Sequence, residues 1–282
     1  MKWADVQPFV GNDPLMEWGT FVARYERWNA LLELLADEGR LEVEQAARAL
    51  GVSPATIRRD LDELARQQML TRTRGGAVAH GVSYDLPLRY KTARNAPEKQ
   101  RIGAAAARLV EPGMIIGLNG GTTTTEAARA IGARTDLRSS GAEPAVTIVT
   151  NALNIANELV VRPHVKTVVT GGVARPQSYE LIGPLATGVL HEISLDMAII
   201  GVDGIDVAQG ASAHHEGEAS INHLMARRAR RVVVVADGSK LGRRAFARIC
   251  PLGEIDVLLT DGGAADERVA EFAEAGLRVI QA

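Results

Sequence analysis

Apolar residues near the start of the chain recur at helical spacing. Trp28, Leu31, Leu32 and Leu35 fall at i, i+3, i+4 and i+7, one face of a helix that Gly39 ends. Val43, Ala46, Ala47 and Leu50 repeat that spacing on a second, short helix. Gly51-Val52-Ser53-Pro54 comes next. Glycine suits the left-handed position after a helix, serine is a preferred cap, and proline fits a first helical turn. Ile57, Leu61 and Leu64 mark the inner face of a third helix. Two helices joined by so tight a turn cross steeply, so the pattern predicts a helix-turn-helix. Leu70–Val78 then alternates as a strand and is expected to turn at Gly75-Gly76, forming a hairpin beside the third helix.

Farther along, the pattern changes. Met114–Leu118, Val146–Thr150, Val165–Thr170, Met197–Val202, Val232–Ala236 and Val257–Thr260 are short continuous apolar runs separated by helical segments. Continuous apolarity means burial on both faces, which predicts a mostly parallel sheet flanked by helices. Before it, Tyr84 to Arg94 is polar, basic and broken by Pro87, as a connector would be. Pro97 opens a helix with an inner stripe of Ile102, Ala105, Ala106 and Leu109, closed by Pro112-Gly113. The expected organisation is an extension at 1–22, a winged helix-turn-helix at 23–80, a linker at 81–96 and an α/β domain at 97–282. The extension carries Pro8, Gly11, Pro14 and Gly19 without periodicity and is expected to be disordered; Met16 offers an alternative start.

Composition narrows the classes. Aromatic residues are 4% of the 282, so the core is built from Val, Leu, Ile and Ala. A formal charge of −2 excludes a uniformly basic coat but leaves room for a local basic patch, which is what reading DNA requires. Cys250 is the only cysteine, which excludes an internal disulfide framework or CxxC pair and fits a reducing compartment. No run approaches the ~20 apolar residues of a membrane span, and no basic segment precedes an apolar one at the N-terminus. A cytoplasmic protein without a membrane partner is expected.

The third helix exposes Ser53, Ala55, Thr56, Arg58 and Arg59, and the hairpin adds Arg72 and Arg74. Small residues allow close approach to a duplex, and arginines supply charge and paired donors to base edges and phosphates. These seven residues are the candidate DNA-binding set. Asp60, Asp62 and Glu63 are expected to be ion-paired or solvated, away from the groove. In the α/β domain, parallel sheets bind ligands beyond the carboxyl ends of their strands. The residues there are small and polar: Gly121, Thr122 and Thr123 after the first run, Asn151 after the second, Gly172 and Arg175 after the third, Asp203 after the fourth and Lys240 after the fifth. Backbone N–H groups at a helix start, threonine hydroxyls and a lysine suit a phosphate. Asn151, Asp203 and Glu218 suit sugar hydroxyls. The Gly-Gly-Thr turn is neither a Walker loop nor a dinucleotide loop. His214, His215 and His223 lack metal-ligand spacing, so no metal and no cofactor is expected. Lys99 and Arg101 are expected at the solvated surface, and Cys250 as a packed or surface thiol.

The run Val52-Ser53-Pro54-Ala55-Thr56-Ile57-Arg58-Arg59-Asp60-Leu61, followed by Arg74-Gly75-Gly76-Ala77, resembles the DeoR family of sugar-metabolism repressors. The likeness continues through Asp85-Leu86-Pro87 with Lys91, Gly121-Thr122-Thr123, Val149-Thr150-Asn151, Thr170-Gly171-Gly172, Asp203-Gly204, Glu218-Ala219 and Asp237-Gly238-Ser239-Lys240. It covers most of 24–263. The resemblance implies a recognition helix and wing, and a sensor domain similar in fold to ribose-5-phosphate isomerase and CoA-transferase domains. It also implies double-stranded operator DNA and a phosphorylated sugar effector as partners, and a homo-oligomer, dimer or tetramer. Under it, Thr122, Thr123 and Lys240 would hold the phosphate, and Asp203 and Glu218 the sugar. Asn119 departs from the family's usual Asp, so hydroxyl recognition is not carried over to that loop. His214-His215-Glu216-Gly217-Glu218-Ala219 is most similar to the AgaR-type branch, associated with amino sugars. A rival reading is a sugar-phosphate isomerase with an accessory head, in which Asp203, Glu218 and Lys240 move protons. An isomerase has no need of a DNA-reading head.

Overall fold

The structure is a computed structural model that describes residues 24, 26–32, 34–35, 38–67, 69–79, 88, 95–137 and 144–282. The expected extension at 1–22, with Met16, and most of the linker at 81–96 lie outside the described residues. The chain divides into two compact units, 1–83 and 84–282.

In the first unit, residues 26–32 and 34–35 are helical (α1), and Trp28, Leu31, Leu32 and Leu35 are buried, the face the spacing predicts. Next come β1 (Arg40–Glu42), α2 (Val43–Leu50) and α3 (Pro54–Arg66). Gly51 closes α2 at φ 65°, and Ser53 caps α3. Ile57, Leu61 and Leu64 point inward together with Asp60. Strands β2 (Leu70–Thr73) and β3 (Gly76–Ala79) form the hairpin, and β1 pairs with β3 to complete a three-stranded sheet. The turn is Arg74-Gly75, one residue earlier than the sequence suggested: Thr73 pairs with Gly76, so Gly76 is already strand. Gly75 takes φ 92°, a value that side chains resist.

The second unit is built on a seven-stranded parallel sheet ordered β15-β14-β12-β9-β4-β5-β6. Its strands are β4 (Ile115–Leu118), β5 (Val146–Thr150), β6 (Val165–Val169), β9 (Met197–Gly201), β12 (Val232–Val235), β14 (Val257–Thr260) and β15 (Arg278–Gln281). The first six match the apolar runs. The seventh, β15, is an edge strand whose ends are exposed Arg278 and Gln281. The helices are α4 (Ala96–Ala107), α5 (Thr122–Ala133), α6 (Leu153–Leu159), α7 (Pro184–Glu192), α8 (Glu216–Arg227) and α9 (Asp266–Glu274). Two apolar clusters cover the sheet, one centred on Ile200, Val234 and Met225, the other on Ile116, Ile148 and Ile131. Smaller sheets decorate one edge: β7 (Val173–Ala174) with β8 (Leu181–Ile182), and β10 (Gly204–Asp206) with β11 (Gly210–Ala213) and β13 (Ala247–Cys250). Among the described residues no helix is long and apolar enough to cross a membrane.

The order of strands locates the ligand edge. From β4 the chain runs outward through β5 and β6, then returns to β9 on the other side of β4. The connections after β4 and β9 leave in opposite directions, and such a switch point opens a crevice at the carboxyl ends.

Candidate nucleic-acid interface and ligand site

The start of α3 is fixed by its cap. Ser53 Oγ accepts the Thr56 N–H at 3.1 Å and shares a hydrogen bond with Thr56 Oγ1 at 2.9 Å. Ala55, Arg58 and Arg59 are exposed on the same helix, as a groove-reading face requires. Arg58 lies 3.4 Å from Glu44, an exposed pair that water screens. Arg74 is exposed in the wing turn. Arg72 is held differently. Its Nε donates to Asp62 Oδ1 at 2.7 Å and its Nη1 to the Gly76 carbonyl, so it ties the wing to α3. Asp62 is thus an ion-pairing residue, as expected. Asp60 is ion-paired as well, and buried: it is 4% exposed and receives Trp28 Nε1 at 2.8 Å and Arg27 Nε at 2.5 Å. It pins α3 against α1. Hydrogen bonding to Asp60 holds the Arg27 guanidinium above its ordinary range.

At the switch point of the sheet, Asn119 is spent on structure. Its amide donates to the Gly201 carbonyl at 3.0 Å and its carbonyl accepts the Gly201 N–H at 2.7 Å, locking the ends of β4 and β9 together. Gly121 then caps α5 without a side-chain hydrogen bond. Its carbonyl accepts the hydroxyls of Thr124 and Thr125 at 3.1 and 2.6 Å, so those two threonines face the helix. Thr122 is half-buried and Thr123 buried, in the first turn of α5, where unpaired backbone N–H groups and the helix dipole favour an anion.

Lys240 stands after β12 in a short turn capped by Asp237, whose side chain accepts the Ser239 N–H at 3.1 Å. Lys99 was expected at the surface but is 5% exposed. Burial pushes the Asp237 carboxyl up, but Ser239, Lys240, Lys99 and Asn95 together outweigh it and hold the group below its ordinary range. Lys99 and Lys240 thus both act on the Asp237 carboxylate at the strand ends.

Asn151 follows β5 and is fully buried. Its Nδ2 donates to Glu180 Oε2 at 3.1 Å and to Asn222 Oδ1 at 3.3 Å, and Asn222 Nδ2 also reaches Glu180 Oε2 at 3.3 Å. Arg175 Nη1 donates to Glu218 Oε1 at 2.9 Å. Asp203 Oδ2 accepts the His214 N–H at 3.0 Å. Burial first, then the charges of Glu218 and Asp203, push Glu180 up to about 8 against the lowering effect of the two asparagines. The structure therefore brings Asn151, Arg175 and Glu218 together and sets Asp203 within electrostatic reach. Gly172 is accounted for by packing, since an added Cβ would stand 2.7 Å from Ala186 Cβ. His215 Nδ1 caps α8, and His223 Nδ1 meets the Ile249 carbonyl at 2.6 Å. Among the described residues no cluster of His, Cys, Asp or Glu can hold a metal ion. Cys250 is buried, and burial, with Glu254, pushes its thiol up to about 12.

Glu180, Asn222, Lys99 and Asn95 are the residues that motif reading missed. Asn222 stands four positions after Glu218 on one helix, hence on the same face. Lys99 falls three before Ile102 and seven before Ala106, within the inner stripe itself.

A capped recognition helix with a basic wing, joined in one chain to a ligand-type α/β unit, defines a DNA-binding transcription regulator. Residues 27–81 match the DeoR-like helix-turn-helix domain and residues 94–262 the DeoR C terminal sensor domain. The chain belongs to the DeoR family and is a regulator rather than an enzyme, which sets aside the isomerase reading. It is 34% identical over 258 residues to the putative aga operon transcriptional repressor of Escherichia coli O157:H7, covering 90% of this chain and 93% of that one. It is 31% identical over 236 residues to the glycerol-3-phosphate regulon repressor of Escherichia coli K12, covering 84% and 90%. Among solved structures it is similar over 52% of its length to 54% of ribose 5-phosphate isomerase A from Methanocaldococcus jannaschii, at 21% identity and a TM-score of 0.38.

Proposed function

We propose that the chain is a cytoplasmic repressor of a sugar or amino-sugar catabolic operon, acting as a homo-oligomer, dimer or tetramer, that leaves double-stranded operator DNA when a phosphorylated sugar binds. The observation that carries this reading is the pairing of chemistries along one sheet edge. The first turn of α5 and Lys240 offer donors to a phosphate, while Asn151, Asp203, Arg175 and Glu218 offer partners to hydroxyls. The repressor names of the two curated relatives support it. In this reading 23–80 reads DNA, 81–96 connects and 97–282 senses.

The effector acts by binding one sensor conformation better than another and shifting the DNA-competent population. Two described residues just before α4 are bonded to the sensing loops. Leu88 N–H donates to the Gln177 carbonyl at 2.6 Å, in the turn between Arg175 and Glu180, and Asn95 reaches Asp237 at 3.0 Å. Movement of either loop on a ligand is thereby passed to the segment that leads toward the DNA head.

Operator binding at several salt concentrations, with and without a panel of aldose and ketose phosphates, tests this. One sugar phosphate is expected to weaken binding, and Lys240→Ala to blunt its effect while leaving bare operator affinity. Full effector sensitivity in Lys240→Ala would remove Lys240 from the site.

A further inference from the structure

A ligand held by its phosphate at the start of α5 presents its other end to the residues that follow β5 and open α8. Three carboxyl groups lie there. Glu180 is 3% exposed and crosses Gly120, where an added Cβ would collide with it, so it stands beside the anion-binding turn itself. Its neighbours are Asn151 after β5, Asn222 and Glu218 from α8, Asp203 after β9 and Arg175 from the β7–β8 turn. Arg175 is matched by Glu218 at 2.9 Å. One further atom bears on what belongs here: Asn151 Oδ1 is buried without a partner, although its own amide nitrogen bonds Glu180. An unsatisfied buried acceptor at the centre of the cluster asks for a donor.

We infer that Glu180 determines which sugar phosphates the site admits: the end remote from the phosphate must be an uncharged hydroxyl, and a second anionic group there is refused. This rests on the sugar-phosphate reading of the site. With its carboxyl pushed up to about 8, Glu180 is the uncharged acid at neutral pH. A ligand hydroxyl can accept its proton while donating to an acceptor such as Asn151 Oδ1. A phosphate or carboxylate has no proton for Asn151 Oδ1 and adds a further negative charge beside Asp203 and beside Glu218, whose cationic partner Arg175 is already engaged, in surroundings where repulsion is stronger than in water. Sites that hydrogen-bond a hydroxyl discriminate strongly against groups that leave buried partners unpaired.

The experiment uses the full chain, melting shifts and calorimetry with a panel of aldose and ketose monophosphates. Each is matched to a counterpart charged at the far end, such as fructose 6-phosphate with fructose 1,6-bisphosphate and glucose 6-phosphate with 6-phosphogluconate. A monophosphate is expected to bind at least about tenfold more tightly than its charged counterpart, and Glu180→Lys to shrink or reverse the ratio. Glu180→Gln keeps the shape and a donor. It is expected to retain the monophosphate at about pH 7 and to lose the decline in affinity that the parent protein shows toward about pH 9. Equal binding of both members of a pair by the parent, or an unaltered decline in Glu180→Gln, overturns the inference alone. No response to any monophosphate overturns the sugar-phosphate reading and this inference with it.

Discussion

The side-chain amide of Asn95 donates to Asp237 Oδ1 at 3.0 Å, joining the residue that opens α4 to a carboxylate flanked by Lys99 and Lys240. Asn95 has φ 52°, a left-handed value that Asn and Gly tolerate best. Asn95→Gly therefore keeps the turn and removes only the bond, while Asn95→Asp sets one carboxylate against another. Both are expected to leave operator affinity and effector affinity within about threefold and to lower the coupling between them by about 1 kcal/mol. Fluorescence anisotropy on labelled operator at fixed salt, with and without effector, measures this. Coupling equal to that of the parent would show that the signal takes another route.

Arg59 and Arg72 were grouped together on sequence, and the structure separates them. Arg59 is exposed on α3, whereas Arg72 is bonded to Asp62 and the Gly76 carbonyl. A phosphate contact is a released counterion, so Arg59→Ala is expected to lower the log–log salt slope of operator binding by about 0.9. Arg72→Ala is expected to weaken binding through a displaced wing, with a smaller change in slope and a measurable loss of head stability. The same slope change for both would make Arg72 a phosphate contact after all.

Asp60 supports the head from inside. Removing its carboxylate strands the Arg27 guanidinium, whose side chain is only 19% exposed, and the Trp28 indole N–H. Breaking a buried pair costs about 3 kcal/mol or more, enough to lower the melting temperature of a domain this small by more than about 10 °C. Calorimetry on Asp60→Ala is expected to show an early transition for the head and an unshifted one for the sensor. A head that melts at the parental temperature would mean the Asp60 bonds contribute little.

Much of this arrangement was legible because it is local. Helix periodicity, the Gly51-Val52-Ser53-Pro54 turn and six apolar runs are properties of short windows, and each set its element. What was harder to read is the setting of charged residues on inner faces. Asp60 falls between Ile57 and Leu61 on α3, and Lys99 lies in the stripe of Ile102 and Ala106 on α4, so periodicity alone placed both inward. Asp60 makes the ion pair expected of it, but with Arg27 and Trp28, which are distant in sequence; the charge of Lys99 argued for solvent, and Asp237, equally distant, lies within its electrostatic reach inside the fold. Glu180 offered no local signal at all, because its partners Asn151, Asn222 and Glu218 meet only when β5, the β7–β8 turn and α8 assemble. Strand β15 was missed because an edge strand bounded by Arg278 and Gln281 lacks the doubly buried pattern of its neighbours.

Glu180 also makes a prediction about pH and stability. Its carboxyl ordinarily titrates at 4.5 and is pushed up to about 8 by burial first, then by Glu218 and Asp203. The folded state therefore holds a proton that the unfolded chain has lost. Its contribution is fully present below 4.5 and is lost as pH rises through the window up to about 8. Glu180→Gln carries no titratable group, so the difference in melting temperature between the parent and this variant should move steadily against the parent from about pH 5 to about pH 8. The effect belongs to the sensor transition, since Glu180 lies in the unit 84–282. Melting curves of both proteins across that range, in the absence of effector, provide the measurement. A difference independent of pH would mean that Glu180 is ionised in the fold, with a cation close enough to compensate Glu218 and Asp203.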